Sequence, residues 1–256
     1  MKKYLFFDID GTLYNSKKQL SEKTIHSIQK AKEKGSEIFI ATGRAPFMIR
    51  PVLEKLQIDS YVCFNGQYVV YKNDVFHTEA ISNEKLQALQ LFASNRQHPI
   101  VVMNEEKMIA NKENHPFIDQ AISSLHFPYP EVDNAIIGQN DIYQALVFCQ
   151  EGEEEEYKRS FPHLKFVRWH DYSVDVLPGG GSKANAIEAL REKLGVNVED
   201  IIAFGDGLND VEMIKAAGIG VVMGNGHRET IAVADHVTGH VDEEGLTEAM
   251  EKLGLI

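Results

Sequence analysis

The sequence predicts an α/β fold in which a parallel-sheet core carries an inserted α+β domain. Short apolar runs of strand length alternate with amphipathic helical patterns from residue 1 to about 80. The same alternation returns after about residue 180, whereas strands and helices follow a different order between these two parts. Strands that alternate with helices are typical of a parallel sheet. We therefore expect two halves of one core domain to flank an insertion.

The first half of the core has the order strand, helix, strand, helix, strand. Apolar residues at helical spacing mark the helices, and continuous apolar runs mark buried strands. The predicted elements are a strand at Tyr4–Phe7, a helix with Ile25, Ile28 and Ala31, a strand at Glu37–Ala41, a helix with Val52, Leu53 and Leu56, and a strand at Tyr61–Phe64.

The second half repeats this alternation, while the insertion mixes helical patterns with several strands. We expect residues 1–81 and 179–256 to form the core and residues 82–178 to form the inserted domain, with Pro178–Gly181 as a flexible exit. The later core elements are a helix with Ile187, Leu190 and Leu194, a strand at Ile201–Phe204, a helix around Met213 and a strand at Gly218–Met223. The inserted strands are Ile100–Met103, Met108–Asn111, Tyr143–Cys149, Phe166–Arg168 and Ser173–Leu177, with a helix at Leu86, Leu89 and Phe92.

Composition is that of an ordinary globular protein and narrows the choice of partners. The chain has 256 residues, of which 43% are hydrophobic and 25% charged, and its formal net charge is −12. This charge disfavours nucleic acid and anionic membranes as partners, because both bind basic surfaces. With no apolar run near membrane-span length and no signal-peptide pattern after Met1–Lys3, we expect a cytoplasmic protein. Its two cysteines, Cys63 and Cys149, lie in apolar runs and are expected to be reduced thiols.

Two clusters of acids follow apolar strands. Asp8 and Asp10 come directly after the first predicted strand, and Asp206 and Asp210 come after the strand at Ile201–Phe204. An Asp-x-Asp-Gly sequence is also common in plain turns, so the first cluster alone says little. The carboxyl ends of parallel strands meet at one edge of a sheet, where open α/β folds bind ligands. The two clusters together therefore indicate one site, in which a cation would relieve the repulsion between acids.

Four segments occur in the order Asp8–Thr12, Ala41–Arg44, Ser182–Ala186 and Gly205–Asp210, and together they give the chain a clear family resemblance. The sequence resembles a haloacid dehalogenase superfamily phosphatase of the Cof type, with a large α/β cap. That resemblance implies a Rossmann-like parallel-sheet core and makes the insertion a cap domain. The third segment departs from the family pattern, since Ala184 follows the lysine where glycine is common.

The resemblance assigns roles to the acids. Asp8 would attack phosphorus and become an aspartyl phosphate, while Asp10 would act as general acid and base. Mg²⁺ is the implied cofactor, held by carboxylates of Asp8 and Asp206 and the backbone carbonyl of Asp10. Asp210 belongs to the same metal site, where it is more suited to supporting the oxygen shell than to joining it. The ten histidines show no convincing zinc spacing.

Phosphoryl transfer also needs positive charge and hydrogen-bond donors around the phosphate. Thr42, Gly43, Lys183 and Asn209 are the residues implied for phosphate binding. Taken singly, each has an ordinary structural explanation: a turn, a solvated lysine or a helix N-cap.

Substrate contacts are less well defined by the sequence. The resemblance implies that three further core residues face the substrate, although Arg44 would otherwise form an ion pair and Asn65–Gly66 a hairpin turn. In the cap, the candidates are isolated residues that are more often packed or exposed. The core candidates are Arg44, Asn65 and Gly66, and the cap candidates are His115, Arg168, Trp169, His170 and Asp175.

The function expected on these grounds is Mg²⁺-dependent hydrolysis of small phosphorylated metabolites: sugar phosphates, nucleotides or phosphorylated cofactors. A phosphomutase is the nearest alternative, because it uses the same aspartyl phosphate but returns the phosphoryl group to a sugar. A phosphorylatable regulator resembling a response-regulator receiver is a third possibility. The inserted domain and the second acid Asp10 argue against it. The sequence gives no indication of oligomeric state.

Overall fold

The computed structural model describes residues 2–133 and 140–256. Within them the strands are β1 Tyr4–Phe7, β2 Glu37–Ala41, β3 Tyr61–Cys63, β4 Tyr68–Tyr71, β5 Asp74–Thr78, β6 Ile100–Met103, β7 Met108–Ala110, β8 Glu131–Val132, β9 Gln144–Phe148, β10 Leu164–His170, β11 Ser173–Pro178, β12 Ile201–Gly205, β13 Ile219–Val222 and β14 His236–Val237. The α-helices are α1 Glu22–Glu33, α2 Pro46–Leu56, α3 Asn83–Ser94, α4 Pro116–Ser124, α5 Glu154–Ser160, α6 Lys183–Leu194, α7 Val211–Ala216, α8 Arg228–Ile231 and α9 Gly245–Lys252.

The chain divides into two compact units. The first unit contains Met1–Arg44, Met48–His77 and Ser182–Ile256, and the second contains Ala45–Phe47 and Thr78–Gly181. These limits lie within four residues of the main boundaries expected from the sequence. The assignment of the units as catalytic core and cap stays a prediction.

The first unit is built on an eight-stranded sheet. Its strand order is β14-β13-β12-β1-β2-β3-β4-β5, and the neighbours from β14 to β3 run parallel. The central strand β1 has the sequence Tyr-Leu-Phe-Phe and is almost wholly buried, as a strand covered on both faces should be. Phe6 stacks on Phe39 of β2, and Phe7 stacks on Phe204 of β12. The rings thus couple three neighbouring strands whose carboxyl ends lie at one edge.

Local signals explain where the helix after the insertion begins and ends. The hydroxyl of Ser182 accepts a hydrogen bond from the backbone N–H of Asn185 and caps α6. At the other end Gly195 has a left-handed conformation with φ of 63°, which stops the helix. The first residue of α6 is therefore Lys183, at a position fixed by the cap.

The second unit has its own six-stranded sheet in the order β10-β11-β9-β6-β7-β8. The pairs from β10 to β7 are antiparallel, and β7 pairs with β8 in parallel. Helices α3 and α5 pack on one face through apolar side chains, among them Leu89 and Tyr157. This is the separate α+β unit expected for the insertion.

The fold class predicted from the sequence is confirmed: an α/β protein with a parallel-sheet core and an inserted α+β segment. The limits of the predicted strands differ from the observed ones by two residues at most, and Cys63 and Cys149 are buried and form no disulfide, as expected. Among the described residues, none of the helices has the length and apolar character needed to cross a membrane.

Candidate active site

Lys183 lies between two acids at the carboxyl edge of the first unit's sheet. Its Nζ donates hydrogen bonds to Oδ1 of Asp8 and to Oδ1 of Asp210, each at 2.6 Å. The lysine is only 1% exposed, Asp8 6% and Asp210 0%. An isolated charge would be costly at such depth, so each of these groups depends on the others. The explanation of Lys183 as a solvated helix residue is therefore wrong.

Asp210 uses both of its carboxylate oxygens. While Oδ1 accepts from Lys183, Oδ2 accepts from the backbone N–H groups of Asp206 and Gly207, each at 2.9 Å. These bonds fold the turn after β12 back on itself. Asp210 thereby fixes the position of Asp206, the acid at the end of that strand.

Asp206 faces the first acidic turn. Its Oδ1 accepts a 3.0 Å hydrogen bond from the Thr12 hydroxyl. Asn225 donates to the carbonyl of Gly11 at 2.8 Å and lies 3.4 Å from Oδ2 of Asp206. Gly11 has φ of +84°, and a Cβ there would lie 2.3 Å from Oδ2 of Asp206. Only glycine lets the two acidic segments approach this closely.

The acids are crowded enough to favour a bound cation. Carboxylate oxygens of Asp8, Asp206 and Asp210 all lie within 4.8 Å of one another. Burial, reinforced by the neighbouring acids, raises the pKa of Asp8 to about 8 even though Lys183 opposes it, and raises the pKa of Asp206 to about 6. Burial alone would lower the pKa of Lys183, but Asp210 and Asp8 outweigh it and raise that pKa above its usual value. Three carboxylates facing one ammonium would leave two negative charges, which suits a divalent cation.

Asp10 lies near Asp8 but in a different environment. Arg44 donates to it through Nε and Nη2 at 2.7 and 2.8 Å, and Lys18 Nζ donates at 2.6 Å. Burial would raise the pKa of Asp10, but the hydrogen bonds and charges of Arg44 and Lys18 outweigh it and hold that pKa below its usual value. Asp10 is therefore a carboxylate that remains accessible, since 35% of its side chain is exposed.

The remaining segments meet beside these acids. Asn65, at φ of 55°, accepts a 3.0 Å hydrogen bond from the side chain of Asn209, and its backbone N–H donates to the carbonyl of Thr42. A Cβ on Gly43 would lie 3.0 Å from the Asn65 side chain. Gly66, at φ of +112°, leaves room for the backbone of Ser182, because a Cβ there would lie 2.4 Å from its carbonyl oxygen. The structure thus brings together all four segments and the turn after β3.

Most cap candidates in the second unit have structural partners. Arg168 makes a bidentate ion pair with Glu154 at 2.8 and 2.6 Å, and Glu154 is buried. Gln144 donates to Asp175 at 2.7 Å, and burial raises the pKa of Asp175 to about 7. His115 caps α4, the Nδ1 of His170 accepts from the Tyr172 amide, and the Trp169 ring lies 5.6 Å from that of His170. Their contact with a substrate stays a prediction.

Three residues around the acids escaped the sequence analysis. Thr12 stood in the first motif without a role, although its hydroxyl holds Asp206. Asn225 had a signal, because Gly224–Gly226 begins one residue after the apolar strand β13 at the same sheet edge. Lys18 had none, because nothing in a lysine's local sequence indicates which acid it will reach.

Comparison with known proteins agrees with this geometry. A family model of haloacid dehalogenase-like hydrolases matches residues 5–250. The Bacillus subtilis (strain 168) protein YkrA is 43% identical, over 99% of this chain and 98% of its own length. The Escherichia coli (strain K12) pyridoxal phosphate phosphatase YbhA is 30% identical, over 91% and 94%. Among solved structures, the subclass IIB sugar phosphatase BT4131 of this superfamily is 33% identical, covers 99% of this chain and 100% of its own, and has a TM-score of 0.87.

The chain therefore belongs to the haloacid dehalogenase-like hydrolases, within the Cof-type phosphatases. It is a phosphatase with phosphoryl-transfer chemistry, as the four sequence segments predicted. Phosphatases of this superfamily generally use a divalent metal, and the cluster of Asp8, Asp206 and Asp210 offers suitable ligands.

Proposed function

We propose that this phosphatase hydrolyses small phosphorylated metabolites with Mg²⁺ and forms a covalent aspartyl phosphate on Asp8. The observation that carries the proposal is the position of Lys183 between Asp8 and Asp210, with Asp206 alongside. This arrangement combines a carboxylate nucleophile, a fixed positive charge and a site for a hard cation.

The donor set fits Mg²⁺ in number and chemistry. Asp8 and Asp206 each keep carboxylate oxygen capacity that protein hydrogen bonds do not fill, and the backbone carbonyl of Asp10 is the proposed third ligand. Asp210 is better suited to support this shell, because Lys183 and two backbone amides use both its oxygens. When bound, Mg²⁺ would supply electrostatic stabilisation of the phosphoryl oxygens during transfer.

The protein's own groups account for the first half of the reaction. A carboxylate oxygen of Asp8 attacks phosphorus, and the bond between phosphorus and the leaving oxygen breaks. Thr42, Gly43, Lys183 and Asn209 are the proposed donors to the phosphoryl oxygens, since all four lie in the segments that meet beside Asp8. Asp10 gives the leaving oxygen the proton that it took from water in the preceding turnover, and becomes a carboxylate again.

In the second half, Asp10 takes a proton from water as the water oxygen attacks phosphorus. The bond between phosphorus and Asp8 breaks, so inorganic phosphate leaves and Asp8 is restored as a carboxylate. Arg44 holds Asp10 through two hydrogen bonds, which favours a positioning role for this arginine over direct contact with substrate. Asn65 and Gly66 support Asn209 and the start of α6, and we propose their substrate contacts as secondary to this.

The proposed substrate class follows the named relatives. Pyridoxal phosphate and sugar phosphates are the substrates that two of their names give, and both are small monoesters. We propose a substrate of that size: a sugar phosphate, a nucleotide or a phosphorylated cofactor. A small anion also suits a protein of net charge −12, because a bound cation and Lys183 dominate the field close to the site.

The test is a panel of phosphorylated metabolites, measured as inorganic phosphate released with Mg²⁺ and with a chelator. Wild-type protein should release phosphate only with the metal, and Asp8→Asn should reduce turnover by at least about 10³-fold, because the nucleophile is lost. Asp74→Asn, at an exposed strand residue of the same unit, is the matched control and should behave as wild type. Full activity of Asp8→Asn would contradict the mechanism.

A further inference from the structure

Lys18 lies in a surface turn that is held by several hydrogen bonds to Asn15. The side-chain oxygen of Asn15 accepts hydrogen bonds from the amides of Lys17 and Gln19, each at 3.0 Å. The Lys18 amide donates to the carbonyl of Asn15 at 2.9 Å. Lys18 itself has φ of 58°, a left-handed conformation that glycine or asparagine adopts more easily than lysine. The hydrogen bonds of the turn hold Lys18 in this conformation and so fix the point from which its side chain extends.

That side chain ends on Asp10. Lys18 Nζ donates to Oδ1 of Asp10 at 2.6 Å, and Arg44 Nη2 donates to the same oxygen at 2.8 Å. Arg44 Nε donates to Oδ2 at 2.7 Å. A carboxylate has about four acceptor positions, two on each oxygen. These three bonds therefore fill Oδ1 and leave one open position, on Oδ2.

We propose that Lys18 is a positioning residue for the hydrolysis of the phosphorylated enzyme. By filling Oδ1, it leaves Oδ2 of Asp10 as the oxygen that takes the proton from the attacking water. In this step the water oxygen bonds to phosphorus, the bond between phosphorus and Asp8 breaks with its electron pair going to Asp8, and the proton passes to Oδ2. The inference rests on the proposed function, since it requires the aspartyl phosphate.

The proposed role concerns geometry more than binding energy. The Lys18 side chain is 42% exposed and that of Asp10 35%, and an ion pair this exposed contributes little to stability. Its effect is to keep the Asp10 carboxylate in one orientation, with Oδ2 free to accept a proton when water attacks. Arg44 alone would leave an acceptor position open on each oxygen.

The experiment compares Lys18→Met with Lys17→Met, the neighbouring lysine of the same turn. Both variants remove one charge, but only Lys18 reaches Asp10. For a monoester that the wild type turns over, we expect Lys18→Met to lower kcat about 5- to 10-fold and KM in parallel, with kcat/KM within about twofold of wild type. Acid-quenched phosphoenzyme should accumulate, because only its breakdown is slowed. Lys18→Arg should restore most of kcat.

The possible outcomes distinguish a failure of this inference from a failure of the proposed function. Lys18→Met with the kcat and phosphoenzyme level of Lys17→Met would overturn the inference. So would a loss of kcat/KM without phosphoenzyme build-up, which would place Lys18 in substrate binding or the first transfer. Absence of any phosphoenzyme in the wild type, together with unimpaired turnover by Asp8→Asn, would instead overturn the aspartyl-phosphate mechanism.

Discussion

Lys183 Nζ and Oδ1 of Asp8 lie 2.6 Å apart although 175 residues separate them in the sequence. The lysine opens helix α6 after the second unit, and the acid ends strand β1. The contact therefore joins the end of β1 to the start of α6 within the first unit. It also supplies the only described charge that neutralises Asp8 directly, since the described ion pairs of this acid are with Lys183 alone.

Replacing Lys183 should damage both stability and catalysis. Lys183→Met leaves Asp8 and Asp210 buried without their cation, and breaking such a cluster costs on the order of 3 kcal/mol. We expect a lower urea midpoint and loss of nearly all phosphatase activity. Lys193→Met, at an exposed position of the same helix, is the control and should change neither. A stable and active Lys183→Met protein would show that the ammonium is dispensable.

Asn225 should affect metal affinity more than the chemical step. Its side chain donates to the carbonyl of Gly11 and accepts from the amide of Val241. Asn225 therefore connects the first acidic turn to the segment at Val241, and it also lies close to Asp206. Loss of a group that orients a metal ligand typically weakens metal binding about 10- to 100-fold. Asn225→Ala should raise the Mg²⁺ concentration for half-maximal activity by about tenfold, with kcat recovering at saturating metal. Asn197→Ala, at an exposed position, is the control. If both variants needed the same Mg²⁺ concentration for half-maximal activity, the proposed role of Asn225 in metal binding would be refuted.

Substitutions at Gly66 and Gly35 distinguish a steric clash from backbone strain alone. Both Gly66 and Gly35 have positive φ, but a Cβ on Gly35 meets nothing within 4 Å, while one on Gly66 would lie 2.4 Å from the Ser182 carbonyl oxygen. Gly35→Ala should cost about 1 kcal/mol of unfolding free energy, from strain only. Gly66→Ala should cost more than about 2 kcal/mol and lower activity, because the start of α6 has to move. Equal denaturation midpoints for Gly66→Ala and Gly35→Ala would mean that the backbone at Ser182 can move without lowering the free energy of unfolding.

The ion pair between Glu154 and Arg168 predicts a specific pH dependence of stability. The hydrogen bonds from Arg168 lower the pKa of Glu154 to about 2, against an ordinary value of 4.5. The unfolded chain thus binds this proton more readily, so the stabilisation is present above about pH 5 and disappears as pH falls towards 2. Glu154→Gln should cost on the order of 3 kcal/mol at neutral pH.

The difference in unfolding free energy between wild type and Glu154→Gln should become smaller at acidic pH. Urea unfolding at several pH values should show wild type and Glu154→Gln converging between about pH 5 and pH 2. Glu155→Gln is the matched control, because Glu155 is 58% exposed in its pair with Lys158 and such pairs contribute about 0.5 kcal/mol or less. A stability difference for Glu154→Gln that stays constant with pH would show that the ionised pair is not its source.

Local sequence was sufficient for the elements that carry strong patterns. The strands Tyr4–Phe7, Glu37–Ala41 and Ile100–Met103 have the predicted limits because each is a short apolar run that stops at a polar residue. The helix at Pro116–Ser124 was not predicted, although Ile118 and Ile122 are buried on it at helical spacing. The burial of Glu154 could not be predicted from its acidic neighbours, since its partner Arg168 is fourteen residues away.

By itself, the sequence determined the fold class, the family and the convergence of its four motif segments on one edge. It could do so because alternating strands and helices give a parallel sheet, and parallel strands bring their carboxyl ends together. Only the tertiary structure decided which group each oxygen meets: Lys183 between Asp8 and Asp210, and Asp10 shared by Arg44 and Lys18. Those contacts depend on ångström-scale distances between segments far apart in the chain, which no local pattern encodes.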